Sequence, residues 1–74
     1  MKFNYSKLLG RIKEMGFTLA TLAKAIGINK GTLSAKLNNH YPFTGDEMVA
    51  ICKVLNIAIK DISLYFFAIE VQKK

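Results

Sequence analysis

Seventy-four residues, 51% of them apolar, are enough for one domain with a small core, too apolar for disorder, and without any apolar run near the roughly 18 residues of a membrane span. The opening MKFNYSKLLGRIKEM breaks its apolar residues with charge, unlike a signal peptide, and the single Cys52 cannot form an internal disulfide, so a cytoplasmic chain is expected. The formal net charge of +6 lies wholly in residues 1–45, where Lys2, Lys7, Arg11, Lys13, Lys24, Lys30 and Lys36 stand against Glu14 alone. A basic half beside a neutral half implies an anionic partner on one side.

Apolar residues recur at helical spacing, and no β-branched run alternates over a strand length. Leu8, Leu9, Ile12 and Met15, with Tyr5 one turn earlier, predict a first helix that stops at Gly16. Thr18 can cap a second helix with the stripe Leu19, Leu22, Ala23 and Ile26, ending at Gly27. Asn29 is a suitable cap for a third helix, in which Leu33 and Leu37 face inward together. Asn38 to Pro42 reads as a surface loop. Thr44-Gly-Asp-Glu47 has the form of a capping box before a fourth helix bearing Met48, Ile51, Cys52 and Leu55, closed by Asn56. Asp61 starts a short fifth helix through Leu64 and Tyr65, followed by a tail from about residue 66 to 74.

The stretch 18–38 holds two short helices joined by Gly27-Ile28-Asn29, a connection that sets helices at a steep angle. Ala23 leaves room for the second helix, and Gly27 can take a positive φ. Ile28, Leu22 and Leu33 can meet beneath the turn. With Leu33 and Leu37 inward, Lys30, Gly31, Thr32, Ser34, Ala35, Lys36 and Asn38 are left outside, a small, polar and cationic face without acid. Such a face fits a major groove about 12 Å wide, where Thr and Ser bond base edges and Lys reaches guanine or phosphate.

The segment LAKAIGINKGTLSAKLNNHYPFTGDEMVAICKVLNI resembles the phage repressor and Cro superfamily of helix-turn-helix proteins. The likeness is greatest to short regulators of phages and prophages of Gram-positive bacteria, with support from FNYSKLLGRI, from TLSAKLNN followed by FTGDEM, and from LYFF. The resemblance implies an all-α, five-helix, lambda-repressor-like fold and transcriptional repression through palindromic operators. It places Asn29, Lys30, Gly31, Thr32 and Ser34 against bases, and Lys36, Asn38 and Asn39 near the DNA backbone. Two positions depart from the pattern. Leu19 stands where relatives often carry a phosphate-gripping Gln, leaving Thr18 or helix-terminal amides to make that contact. Gly31 replaces a longer polar side chain.

Other features are set aside. His40 has no second ligand type beside it, so no metal is expected, and Cys52 reads as a small buried hydrophobe. Catalytic patterns are absent, and no cofactor or small-molecule ligand is expected. The apolar tail, Tyr65, Phe66, Phe67, Ile69 and Val71, has two readings: it folds back on the helices, or it joins a homodimer whose recognition helices sit about 34 Å apart. Two functions are carried forward. The first is a sequence-specific regulator binding double-stranded DNA as a homodimer. The alternative is a protein-binding module, such as an antirepressor, that uses the same fold to engage another regulator; the aromatic tail and Leu19 motivate it.

Overall fold

A computed structural model describes residues 2–69. Five α-helices follow in chain order: α1 Ser6–Glu14, α2 Leu19–Ile26, α3 Lys30–Leu37, α4 Gly45–Val54 and α5 Ile62–Phe66, with a 3-10 turn at Ile59–Asp61 leading into α5. The expected all-α, five-helix architecture is the one observed.

Local chemistry sets the helix starts. The Thr18 hydroxyl accepts the Thr21 amide at 3.1 Å, and the Thr21 hydroxyl accepts the Thr18 amide at 2.8 Å. This is a capping box with a second threonine in place of the usual Glu or Gln. At α3, Asn29 Oδ1 accepts the Gly31 amide at 2.6 Å. At α4, the Glu47 amide donates to Thr44 Oγ1 at 3.1 Å, and Glu47 Oε1 accepts the Thr44 amide at 2.8 Å.

Gly27 ends α2 at φ +79°, and the Ile28 amide then donates back to the Ala23 carbonyl at 2.9 Å. This left-handed step turns the chain from α2 into α3, and a Cβ there is strained by about 1–2 kcal/mol. Gly27→Ala is therefore expected to lower stability by about that amount in urea titration. Gly10 makes the opposite case: it lies inside α1, and a Cβ would meet nothing within 4 Å. Gly10→Ala is expected to add about 0.5–1 kcal/mol by the same measurement.

Helix α2 packs against α3 and α4, and α5 packs against α1 and α4. Leu8, Leu22, Leu33, Ile51 and Leu55 fill the fully buried centre, and Cys52 lies among them as a buried hydrophobe. Burial raises its thiol pKa. Beside this aliphatic centre runs a chain of aromatic rings. Phe43 meets Tyr5 at 5.5 Å and Phe66 at 5.2 Å, both nearly edge to face, a favourable arrangement of ring quadrupoles.

Two members of the predicted α1 stripe lie outside the core. Leu8 and Ile12, one turn apart, are buried and set the inward line, whereas Leu9 is 44% exposed and Met15 38% exposed. Leu9 is rotated about 100° from Leu8 around the helix, and Met15 follows the last helical residue. Arg11, on the same helix, does not serve a basic outer face. Its Nε donates to the Leu55 carbonyl at 2.9 Å and Nη2 to the Asn56 carbonyl at 3.0 Å, placing a cation at the C-terminal end of α4, where the helix dipole favours it.

The two ends of the described chain are joined. Phe3 and Ile69 form an antiparallel bridge, and the Asn4 amide donates to the Ala68 carbonyl at 2.7 Å. The tail thus folds back at residues 66–69. Phe66 is only 1% exposed, so it belongs to the core and cannot meet a second chain. Tyr65 is half-buried, with the Lys7 ammonium 5.4 Å above its ring. Val71 lies outside the described residues.

Candidate protein-binding surface

The face that sequence assigned to DNA reading is largely engaged within the protein itself. Thr18 and Asn29 are exposed, but their side-chain oxygens hold helix-capping amides. Gly31 accommodates that cap, because a Cβ there would come within 3.0 Å of Asn29 Oδ1. Asn38 turns back along α3, with Nδ2 donating to the Ser34 carbonyl at 2.9 Å. Ser34 is half-buried. Of the expected base-facing residues, Lys30 and Thr32 remain exposed with side chains of any length.

Lys36 departs furthest from expectation. Rather than reaching a phosphate, its side chain lies inward at 10% exposure. Its Nζ donates to Glu47 Oε1 at 2.6 Å and to the Pro42 carbonyl at 3.2 Å. Burial disfavours the Glu47 carboxylate, but the Lys36 ammonium and the Thr44 capping bonds outweigh it and hold its pKa below the ordinary value. The pair fastens α3, the 38–43 loop and the start of α4 together.

Asn39 is engaged as fully. At φ +64° it takes a left-handed conformation that Asn tolerates better than most residues. Its Oδ1 accepts the Phe3 amide at 2.9 Å, and its Nδ2 donates to the Phe3 carbonyl at 3.0 Å. The side chain thus acts as a one-residue strand partner, fixing the N-terminal segment to the end of α3. No local periodicity signals this bond across 36 positions. The adjoining Asn38-Asn39 pair was a turn signal, and only the fold supplies its partner.

Large apolar side chains stand exposed around the joined ends. Phe3, half-buried, forms a ridge between two depressions, with the Phe67 ring against it edge to face at 5.8 Å and Phe67 still 45% exposed. Ile69, paired with Phe3, and Leu64, three residues before Phe67 on α5, are each about half exposed. On one flank of Phe3 lies an open depression of about 390 Å³ with a mostly polar lining that includes Lys2, Ser6 and Asn38, and with Leu9 and Leu37 as apolar members. On the other flank a smaller one of about 200 Å³ is bounded by Tyr41 and Pro42, with Tyr41 64% exposed. Exposed apolar side chains gathered in this way on so small a protein are a candidate contact with another macromolecule. Such a surface suits a protein partner, since a DNA backbone offers it only charge.

Comparison with known proteins corrects the expected kinship. Residues 1–69 match the model of the family described as Protein of unknown function (DUF739). The solution structure of the modulator of repression (MOR) of the temperate bacteriophage TP901-1 from Lactococcus lactis is similar, with 39% sequence identity and a TM-score of 0.77 over 90% of each chain. No curated protein matches. The match is to a modulator of repression, which overturns the assignment to the phage repressor and Cro superfamily. With it falls the expectation of a homodimeric repressor whose partner is double-stranded DNA. The Ala23, Gly27 and Leu33 spacing that suggested it reports how two short helices cross, a packing requirement independent of what they touch. Among the described residues, no helix is long and apolar enough to cross a membrane. The chain belongs to the family described as Protein of unknown function (DUF739).

Proposed function

We propose that this chain modulates repression by binding a repressor protein, working in the cytoplasm as a binding module and not as a catalyst. The observation that carries the reading is the exposed apolar surface around the joined ends, where Phe67 and Ile69 flank Phe3 and Leu64 is exposed on α5. The similarity to a modulator of repression supports it. So does the engagement of Asn29, Lys36, Asn38 and Asn39 in bonds that build the fold. Lys30, Thr32 and Ser34, the remaining polar positions of α3, serve as a solvated helix face.

The test is light scattering on a sizing column, with the chain mixed with the purified repressor of the genome that carries it. A heterocomplex of defined stoichiometry is expected, and plain duplex DNA at physiological salt should not shift the chain's elution. Separate elution of chain and repressor at tens of micromolar, together with retention of the chain on duplex DNA, would sink the reading.

A further inference from the structure

We infer that the repressor docks astride the Phe3 ridge and presents there an apolar segment flanked by acidic side chains; this rests on the repressor-binding function proposed above. The ridge is pre-organised. Asn39 bonds both backbone groups of Phe3, at 2.9 and 3.0 Å, and the Asn4 amide is held by the Ala68 carbonyl at 2.7 Å. The rings of Tyr5, 6.2 Å away, and Phe67, 5.8 Å away, steady its side chain. A surface already held in one conformation loses little entropy when a partner lands on it.

The depressions on either side give the ridge its shape. The larger offers the half-exposed Leu9 beside Leu37, and the smaller offers the exposed ring of Tyr41 beside Pro42. Two apolar side chains of one partner segment, one on each flank, would straddle Phe3. Tyr is among the residues that anchor protein interfaces most often, since it brings a large apolar area with few rotamers to freeze.

Charge decides the chemistry of the partner. Lys2 borders the larger depression, and the exposed Lys13 lies on α1 one turn beyond Leu9, on the same face of the helix. The one acid in residues 1–45 is Glu14, and its carboxylate is paired with Arg11 at 2.7 Å. Lysines beside the apolar Leu9 and Leu37 complement acids flanking apolar side chains and repel a basic segment, so they select among protein surfaces.

The experiment measures affinity for the same repressor by calorimetry at low and at physiological salt. The parent chain is compared with Leu9→Glu, Tyr41→Ala, the double variant Lys2→Glu/Lys13→Glu, and Thr32→Glu on the α3 face. All five substituted residues are exposed, and circular dichroism checks that each variant folds. Leu9→Glu and Tyr41→Ala are expected to weaken binding about tenfold or more. The double variant should remove most of the salt dependence, and Thr32→Glu should bind like the parent. If the repressor binds but Thr32→Glu abolishes binding while Leu9→Glu and Tyr41→Ala do not, the docking site is wrong and the function stands. Salt-independent binding overturns the acidic partner segment. Absence of binding by the parent overturns both.

Discussion

Phe66→Ala is expected to leave the chain largely unfolded at physiological temperature. Phe66 is 1% exposed and stands edge to face against Phe43 at 5.2 Å, at the point where α5 closes over the core. Truncating a buried Phe costs about 3–5 kcal/mol, from lost transfer energy together with the cavity left behind. A domain of this length has a total stability of about 4–11 kcal/mol, so the loss consumes much of it. The neighbouring Phe67 supplies the control. It is 45% exposed and touches Phe3 by its edge. Phe67→Ala should cost only about 0.5–1.5 kcal/mol, the scale of one aromatic pair. Urea titration followed by circular dichroism separates the two. Equal losses would mean that residues 66 and 67 do not divide between core and surface as described.

Lys36→Ala is the second large effect, and it concerns stability. Removing the ammonium leaves the Glu47 carboxylate, 18% exposed, with its Thr44 cap but without its counter-charge. Breaking a fully buried pair costs about 3–5 kcal/mol; with solvent at one edge and the cap retained, about 2–3 kcal/mol is expected. Lys36→Met, which keeps the apolar stem, should recover part of the loss. Acid provides an independent check. Glu47 titrates below its ordinary value of 4.5 in the folded chain, so its contribution is complete above that value. It is lost as pH falls through the lowered folded value. Stability of the parent should therefore decline below about pH 4.5, and Lys36→Ala should show a shallower decline. An unchanged acid profile in the variant would show that the pair does not set the Glu47 titration.

Much of the fold is legible because capping and turning are local. Thr18, Asn29 and Thr44 each satisfy amides within three residues, and Gly27 reverses the chain by its own conformation. What sequence could not supply depends on partners far along the chain. Lys36 looks outward on a helical wheel until Glu47, eleven residues later, draws it in. Asn39 reads as a loop residue until Phe3, thirty-six positions earlier, arrives beside it. The phase of α1 was ambiguous between Leu8 and Leu9, since a nine-residue helix with two adjacent leucines does not define one face.

Function was legible only in outline. The basic half of the chain and the absence of acid on α3 were read as a DNA surface, but two of those cations, Arg11 and Lys36, fasten helices together. Leu19, in place of a phosphate-gripping Gln, and the aromatic run Tyr65, Phe66 and Phe67 were the signals for a protein-binding module. They carried less weight because a helix-turn-helix spacing suggests its commonest use more strongly than its exceptions.

Action of this chain on a repressor protein is tested by measuring that repressor's affinity for its operator while the chain is titrated in. Operator affinity is expected to change by a factor of about five or more, saturating at a fixed ratio of chain to repressor. An operator affinity that stays constant across the titration would contradict it.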